Sequence, residues 1–417
     1  MAVATEVFTN NAQTTVSSGG TGAPASGTTE TWTVASSSSF PAIGTGQTQQ
    51  FHVADPASAS EKILVKQVSG TTWTVVRGDE GTTPVTHAPL FTINQVATAA
   101  WLGSALTGLQ STGDTTGVKD AANMNGIANL GANLILGPGT FWVNTPVILA
   151  SGGALYGPRA FAPMGSVRDA GNVAPATIKV PAATTMTAVV TDAAYTAAVG
   201  VTNPVPSSDI QIAGIDIDCS GITGGGGHGI ALLTQASAIV NCRIRNSPGH
   251  SILLTDTSAT GNTTTGGVPG SLNECAVIGN RVYQPGLNGI FVQSAGALGT
   301  DGYCYDNVVD HNFTGTGTSI AIDQCSGWRV AHNHVYAVPT DAYHLFRASN
   351  CWIHDNYADN FGQNSTTGIT YFGFKIQPSP FGTCRITNNH ASTKEAAGGA
   401  AGNFTYFSVI EIGRAHV

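Results

Sequence analysis

The chain has 417 residues, of which 10% are charged and 52 are glycine, and its formal net charge is −8. This balance argues against a helical protein, because glycine, threonine, asparagine and valine have low helix propensity, and it suits many short strands joined by tight turns. An acidic chain also lacks the basic face that nucleic-acid binding needs. The length predicts two domains, or one elongated solenoid with an appendage.

Targeting and redox signals are sparse. Residues 1–15 show no cationic start and no apolar core of signal-peptide length, so a signal peptide is not expected. No apolar run is long enough for a membrane span. The seven cysteines are an odd number without a Cys-x-x-Cys pair, so neither a thiolate metal site nor a disulfide framework is predicted. A reducing compartment fits this usage.

Residues 1–105 predict a β-rich module, with short runs of β-branched and aromatic residues between polar loops and a hairpin around Ser69-Gly70. Two blocks, TWTVASSSSFPA at 31–42 and GTTWTVVRGDEGTTPVTH at 70–87, resemble a small β-module of phage tail and baseplate proteins. The resemblance implies that this module attaches the protein to a phage tail. The RGDEG segment at 77–81 is interpreted as a solvated charged turn, not as an integrin-type or metal motif.

A second block follows a linker. Residues 113–120, GDTTGVKD, lead into a helical pattern over about 116–128, and strands follow at 133–136 and 141–143. This order resembles the opening segment of the pectate-lyase-like superfamily, in which a short helix caps the open end of a β-helix. The cap is needed because a solenoid end would otherwise expose its core and its strand edges. The resemblance predicts an all-β fold, with a right-handed single-stranded parallel β-helix over residues 106–410 behind the N-terminal module.

The repeat is visible in seven segments that fit the template apolar-x-x-Z, where Z is Ile, Cys or Asn. The pairs are Ile212/Ile215, Ile239/Cys242, Val277/Asn280, Val309/Asn312, Val330/Asn333, Ile353/Asn356 and Ile386/Asn389. Successive Z positions lie 21 to 38 residues apart, which is typical of a solenoid. The frequent Asn predicts a bend in the left-handed αL conformation and a ladder of stacked amides. Cysteines two residues before the anchors are predicted to lie in the core.

A further strand precedes most of these anchors, and its alternation places every second side chain outside. One outward column reads Ala231, Leu253, Phe291, Ala321, His344, Lys375, and the other reads Leu233, Thr255, Gln293, Asp323, Phe346, Gln377. Neighbouring coils lie about 4.8 Å apart. The side chains of Asp323, His344, Phe346, Lys375 and Gln377 are therefore expected to form one patch, with Arg347 at its edge.

This patch is the predicted site of any glycan chemistry. The predicted catalytic residues are Asp323, His344 and Lys375, and the predicted substrate-binding residues are Phe291, Gln293, Phe346, Arg347 and Gln377. One carboxylate, one His and one Lys suit a polysaccharide lyase, which needs a base and a cation, better than a glycoside hydrolase, which needs two carboxylates. Solvated side chains on an exposed sheet face are the alternative interpretation.

No cofactor and no metal site are predicted. Asp216 and Asp218 face outward together, and solvated carboxylates are favoured there over a divalent cation such as calcium. The tripeptide Gly227-His228-Gly229 resembles a polygalacturonase motif, but the chain contains no adjacent Asp-Asp pair. The hydrolytic mechanism of that family is therefore not carried over.

The chain as a whole resembles a phage tailspike or tail fibre. The resemblance implies a virion protein, assembled in the host cytoplasm, that contacts phage tail or baseplate proteins and binds, or also depolymerises, a bacterial surface polysaccharide. A homotrimer is expected, because Leu233, Leu253 and Phe291 would form an outward apolar flank that needs covering. Two alternatives stay open: a non-catalytic adhesin or structural fibre, and a cellular polysaccharide lyase. Nucleic acid and membrane insertion are not expected.

Residues 411–417 are expected to be non-native. The last six residues, IGRAHV, are what ATC GGA AGA GCA CAC GTC encodes, which resembles a sequencing adapter read in frame. The natural chain is therefore expected to continue past Ile410.

Overall fold

The computed structural model describes residues 5–6, 12–44, 49–58, 60–96, 108–128, 132–158, 175–196, 205–223, 226–257, 271–295, 299–312, 314–362, 371–378, 382–392 and 404–409. The expected non-native tail at 411–417 lies outside these residues. The chain divides into two compact units, Met1–Gly108 and Leu109–Val417. Within the described ranges, no helix has the length and apolar character needed to span a membrane.

The N-terminal unit is a closed antiparallel barrel. Its strands are β1 (Thr5–Glu6), β2 (Gln13–Ser18), β3 (Thr29–Val34), β4 (Gln49–Ala54), β5 (Ile63–Ser69), β6 (Thr72–Val76) and β7 (Thr92–Val96), with a short 3-10 turn at Asp79–Gly81. Six strands close in the order β4-β5-β6-β3-β2-β7, because β7 pairs with both β2 and β4. The predicted hairpin joins β5 and β6. Aromatic rings fill the core, and Trp73 packs edge-on against Phe40 and Phe51.

The RGDEG segment is solvated only in its second half: Glu80 and Gly81 are exposed, whereas Arg77 and Gly78 are buried, which corrects the sequence interpretation for Arg77. The Arg77 side chain is fully buried, and its guanidinium donates to both Glu61 oxygens at 2.7 and 2.9 Å. It also donates to Glu30 at 3.1 Å and to the Val85 carbonyl at 2.7 Å. His87 reaches the same Glu61 carboxylate at 3.1 Å. A buried charge needs such partners, and these lie too far away in sequence for a local pattern to reveal them.

The C-terminal unit is a parallel β-helix with three sheets, each of nine strands in the described residues. Sheet A contains β10 (Val147–Leu149), β13 (Ala188–Asp192), β17 (His228–Leu232), β21 (Ile252–Thr255), β24 (Ile290–Gln293), β27 (Ile320–Asp323), β30 (Tyr343–Ala348), β33 (Tyr371–Pro378) and β36 (Phe404–Val409). Sheet B contains β8 (Leu134–Ile135), β11 (Ala154–Tyr156), β15 (Gln211–Ala213), β19 (Ala238–Val240), β22 (Ala276–Ile278), β25 (Tyr303–Tyr305), β28 (Arg329–Ala331), β31 (Trp352–His354) and β34 (Arg385–Thr387).

Sheet C completes each coil. It contains β9 (Gly139–Trp142), β12 (Ala176–Lys179), β16 (Asp216–Asp218), β20 (Arg243–Arg245), β23 (Arg281–Tyr283), β26 (Val308–Asp310), β29 (His334–Tyr336), β32 (Tyr357–Asp359) and β35 (His390–Ser392). A coil runs from sheet B through sheet C to sheet A, and each strand pairs in parallel with its counterpart in the next coil. Two short strands, β14 (Ser207–Ser208) and β18 (Thr234–Gln235), pair outside the three sheets.

The predicted repeat register is correct in six segments and wrong in the fourth. Cys304 aligns between Val277 and Val330 in sheet B, so the fourth pair is Cys304/Asn307. Val309 instead belongs to sheet C, between Val282 and Val335. The sequence template matched the wrong segment because the turn after sheet C also contains an Asn, Asn312, at a positive φ of 48°. As predicted, the cysteines are core residues: all seven are free, six are buried, and Cys384 is partly buried.

An asparagine ladder fills the corner between sheets B and C. Its members are Asn280, Asn307, Asn333, Asn356 and Asn389, and each Nδ2 donates to the next Oδ1 at 2.9–3.0 Å. The Asn333 amide also donates to the Cys304 carbonyl at 2.8 Å. The ladder residues are not in the αL conformation, which corrects the predicted mechanism. That conformation belongs to the residue before each of them, for example His332 at φ 56° and Asp355 at φ 54°.

A single α-helix, α1 (Val118–Ala128), packs against β8, β9 and β10 of the first coil. Met124 and Ala121 enter the apolar core of the β-helix. Two polar side chains of α1 accept backbone N–H groups from the open strand edges: Asp120 from Trp142 at 3.0 Å and Asn125 from Ile148 at 2.8 Å. The helix therefore covers the core and also satisfies edge donors that would otherwise stay unpaired.

The outward apolar flank on sheet A is already covered within the chain, which corrects the argument made for a trimer. Leu233 is fully buried and Leu253 is 6% exposed, because Ala194 and Tyr195 pack over them. The covering turn is tied down by Asp192, whose carboxylate accepts the N–H groups of Tyr195 at 2.8 Å and Leu233 at 2.7 Å. Burial raises the pKa of Asp192 to about 7. Phe291 remains partly exposed at the edge of this cluster.

Replacing Asn333 by Ala is expected to lower the free energy of unfolding of the β-helix by roughly 2–5 kcal/mol, since the buried partners in Asn307 and Cys304 lose their hydrogen bonds. Asn312→Gly is the control, because Asn312 is exposed and glycine tolerates its positive φ. Urea titration of both variants measures the difference. Equal losses would contradict the assigned register.

Acid is expected to weaken the N-terminal barrel through Glu61. Burial opposes ionisation of this carboxyl, but hydrogen bonds from His87, Arg77 and Val85 outweigh it and lower the pKa from 4.5 to about 2. A lowered pKa stabilises the fold above the unfolded value, so roughly 3 kcal/mol should be lost as pH falls from about 4.5 to about 2. Melting curves followed by tryptophan fluorescence across this range measure the loss. In Glu61→Gln the acid dependence should flatten, and an unchanged dependence would refute the assignment.

Candidate functional site

The structure places all eight predicted site residues on sheet A. His344 lies between Ala321 and Lys375 in register, and Phe346 lies between Asp323 and Gln377. Phe291 and Gln293 occupy the same two columns one coil earlier than Ala321 and Asp323. Arg347 follows Phe346 at a register shift, is exposed and has a positive φ of 51°. The predicted columns are therefore correct, and what they do chemically depends on their contacts.

The three predicted catalytic side chains have separate partners. The guanidinium of Arg347 lies 3.3 Å from Asp323, and the ammonium of Lys375 lies 3.5 Å from Asp341. His344 Nε2 lies 2.8 Å from Gln377 Oε1. An amide oxygen only accepts, so His344 donates from Nε2, and Nδ1 carries the lone pair when the ring is neutral. Burial raises the pKa of the Asp323 carboxyl against the opposing charge of Arg347.

Two carboxylates near this patch were missed by the sequence analysis. Asp341 is 8% exposed, pairs with Lys375 and accepts the Phe372 N–H at 2.8 Å. Asp256 is fully buried and accepts the Ser294 hydroxyl and the Ala295 N–H, each at 2.8 Å. Asp256 directly follows β21 and Asp341 lies two residues before β30, so both lie near the ends of sheet A strands. Since Asp256 is buried and bonded to the protein, it does not offer the second accessible carboxylate that hydrolysis requires.

The Gly-His-Gly tripeptide has a structural explanation. His228 stacks on His250 with ring centroids 5.1 Å apart, and His250 lies 4.8 Å from the Phe291 ring. The Nδ1 atom of His228 accepts the backbone N–H of His250 at 3.0 Å, and Nδ1 of His250 accepts that of Asn288 at 3.1 Å. Burial lowers the pKa of His228 to about 4 and that of His250 to about 3. Both rings are therefore neutral acceptors that tie successive coils together.

The acidic pair on sheet C is not solvated, which corrects the sequence interpretation. Asp216 and Asp218 do face outward, but they are only 6% and 5% exposed. Arg243 lies 3.8 Å from Asp216, and Arg245 lies 3.2 Å from Asp218. The pKa of Asp218 is lowered, because hydrogen bonds and the Arg245 charge outweigh its burial. The next coil places arginines opposite both carboxylates, which the alternation argument alone did not consider.

A groove on sheet B was missed by the sequence analysis. Its cavity volume is 770 Å³, and the side chains around it are Glu274, Asp301, Tyr303, Arg329, Asn350 and Trp352. Tyr303, Arg329 and Trp352 form one outward column in register. The Arg329 guanidinium lies 5.8 Å from the Tyr303 ring centroid. Aromatic faces therefore alternate with a cation along the floor of the groove.

The rim of this groove is built by the turn before sheet B. Glu274, Asp301 and Asn350 occupy equivalent positions of three coils, with φ between 53° and 56°. Between them lies Gly327, also at a positive φ, where an added Cβ would come within 2.3 Å of the Asp301 carboxylate. The shared αL conformation directs polar side chains along one edge. The signal was present in the sequence, but the misplaced fourth anchor took Tyr303 out of its column.

Comparison with known proteins agrees with this architecture. The family model of right-handed β-helix regions matches residues 217–410. This region is a right-handed β-helix. No curated protein is a significant match to the chain.

Several solved structures are similar to the chain at low sequence identity. The A-module of the Azotobacter vinelandii mannuronan C-5 epimerase AlgE6 is 14% identical, with a TM-score of 0.38, over 71% of this chain and 96% of that one. An N-terminal fragment of bacteriophage Phi29 gene product 12 is 12% identical over 71% and 56%, with a TM-score of 0.42. The phiAB6 tailspike, solved with oligosaccharides of Acinetobacter baumannii surface polysaccharide, is 11% identical over 85% and 58%, also at 0.42. Similarities this low concern the fold alone.

Proposed function

We propose that the chain is a phage tail protein whose β-helix binds a bacterial surface polysaccharide. The sheet B groove carries the proposal. Its 770 Å³ lies within the range of about 300–1,000 Å³ that is usual for ligand pockets. Its lining combines flat aromatic faces with charged and amide groups, the combination that sugar rings and hydroxyls require. Sequence supports the phage assignment through the blocks at 31–42 and 70–87.

The groove offers each part of a sugar a chemically matched partner. The exposed Tyr303 ring and the partly exposed Trp352 ring, over which the Arg385 guanidinium lies at 5.0 Å, offer apolar surface for the C–H side of a pyranose. The carboxylates of Glu274 and Asp301 accept hydroxyl protons, and Arg329 donates to hydroxyl or carboxylate oxygens. Glu274, Asp301 and Arg329 are exposed, so a glycan reaches them without opening the core. In this proposal the barrel at the N-terminus attaches to tail or baseplate proteins of the virion, and three chains assemble.

Cleavage is a second candidate function, located at the sheet A patch. In a lyase mechanism, Nδ1 of His344 removes the proton alpha to a uronate carboxylate, and Lys375 together with Arg347 neutralises that carboxylate. The electron pair of the broken C–H bond forms a C=C bond and expels the glycosidic oxygen from the adjacent carbon, and this oxygen takes a proton from water. Asp323 holds Arg347 at 3.3 Å and thereby positions it. Phe346 and Phe291 give the sugar an apolar face, and Gln293 and Gln377 hydrogen-bond its hydroxyls. This second candidate is favoured by the hydrogen bond between His344 Nε2 and Gln377 Oε1, which leaves His344 Nδ1 as the basic nitrogen.

Trp352→Ala is expected to weaken binding of the recognised glycan about tenfold or more, because the stacking face is lost. Trp142→Ala removes an equally large, partly exposed indole from sheet C and should leave affinity unchanged. Titration against a panel of purified capsular and lipopolysaccharide glycans identifies the ligand and measures both variants. Full affinity in Trp352→Ala, or no binding to any bacterial glycan, would remove the groove as the binding site.

His344→Ala is expected to reduce glycan cleavage by about 10²-fold or more while affinity stays nearly constant, because a general base acts on the reaction step. New reducing ends and the absorbance of unsaturated uronates measure the reaction. His332→Asn, on another face of the β-helix, is the control. If the wild type binds glycan without releasing product, the protein is a non-catalytic adhesin. If product forms equally in His344→Ala, the base lies elsewhere.

A further inference from the structure

A cluster of metal-ligating side chains lies at the corner between sheets B and C, next to the groove residue Trp352, whose ring lies 4.2 Å from that of His354. It consists of His332, His354 and Asp355, whose ligand atoms all lie within 4.8 Å of one another. His332 and Asp355 occupy the same αL turn position in two successive coils, and His354 ends strand β31 just before that turn. The stacking of two coils therefore brings the three groups together.

The types of ligand atom in the cluster favour one class of metal ion. Two imidazoles and one carboxylate suit Zn²⁺ and neighbouring first-row transition metals, whereas Ca²⁺ and Mg²⁺ prefer oxygen ligands alone. Around a tetrahedral zinc ion with bonds of about 2.0–2.1 Å, ligand atoms lie about 3.4 Å apart. The three ligand atoms of the cluster lie within 4.8 Å of one another, so an ion requires only a small adjustment of the side chains. His332 and Asp355 are exposed, so rotation of their side chains makes this adjustment without disturbing the core.

At this corner, a left-handed backbone conformation recurs in successive coils and directs their side chains outward on the same edge. His332 has a φ of 56° and Asp355 a φ of 54°, a conformation that is uncommon for residues with a Cβ. His354 Nδ1 lies 2.7 Å from Asp355 Oδ2, so this imidazole and carboxylate already adjoin. The His332 ring lies 5.6 Å from the His354 ring, at 83°. Two ligands are thus in place on one coil, and the third approaches from the coil before it.

We propose that His332, His354 and Asp355 bind one Zn²⁺ ion or a chemically similar transition-metal ion. Three protein ligands leave the remaining coordination position to water, which matches the exposure of the corner. A bound ion links two coils that otherwise join at this corner through the asparagine ladder. Since the ligands come together only in the folded chain, binding stabilises the β-helix.

The test uses the full chain, free of any affinity tag and stripped of metal with a chelator. Calorimetric titration with Zn²⁺ should give saturable binding of one ion per chain, and the melting temperature should rise. His332→Asn, which tolerates the positive φ, and His354→Gln should each weaken Zn²⁺ binding at least about tenfold. His390→Ala removes another exposed histidine, outside the cluster, and should bind as the wild type does.

A spectroscopic readout separates ligation from an effect on folding. Co²⁺ in the site should give a visible absorption band that His332→Asn loses while its metal-free melting temperature stays that of the wild type. The Trp352 ring lies 4.2 Å from the His354 ring, so Co²⁺ should also quench part of the tryptophan fluorescence, and Trp352→Phe should lose that part. No saturable Zn²⁺ binding at micromolar concentration overturns the proposal. So does equal weakening in His390→Ala, or displacement of Zn²⁺ by millimolar Ca²⁺.

Discussion

The β-helix depends on the satisfaction of buried backbone polar groups where the chain turns from sheet B to sheet C. Strand hydrogen bonds end at this corner, yet the corner is enclosed, so its carbonyls and N–H groups need partners. The amide of Asn356 supplies them: it donates to the Val330 carbonyl at 2.8 Å, and its oxygen accepts the Asn333 N–H at 3.1 Å. Repeated from Asn280 to Asn389, the ladder supports the strand pairing that aligns the outward columns of these coils.

Because the coils stack in register, outward residues at equivalent positions of successive coils form columns along the axis. Tyr303, Arg329 and Trp352 come from three successive coils, and the register between these coils brings them together to form the groove. The same register lets His332 approach Asp355 across a coil boundary. The functional surfaces of this chain are therefore stacks along the axis, and an error of one coil in the register removes a residue from its surface.

Sequence reasoning recovers the features that depend on local pattern. The barrel hairpin, the helix at Val118–Ala128, the alternation on sheet A and most ladder positions follow from periodicity and turn chemistry. The contacts between outward side chains do not. Lys375 was expected to share one patch with Asp323, but its ammonium pairs with Asp341, which lies two residues before strand β30, where alternation has not yet begun. The columns could be predicted, whereas the partners within them depend on side-chain length and corner geometry.

The same reasoning explains why an outward position was mistaken for an exposed one. Alternation predicts only that a side chain points away from the core. It does not predict whether residues of another segment cover that side chain. Leu233 leaves the core and is buried by Tyr195, while Asp218 leaves the core and is neutralised by Arg245. Tyr195 lies in the segment after β13, whose position no repeat template encodes. Arg245 lies in register with Asp218 one coil later, so only a comparison of neighbouring coils reveals it. By contrast, the groove residues Tyr303, Arg329 and Glu274 leave the core and remain exposed. On this solenoid, function is therefore best sought where an outward column of mixed chemistry stays uncovered over several coils, and sheet B satisfies that condition more fully than the partly paired patch on sheet A.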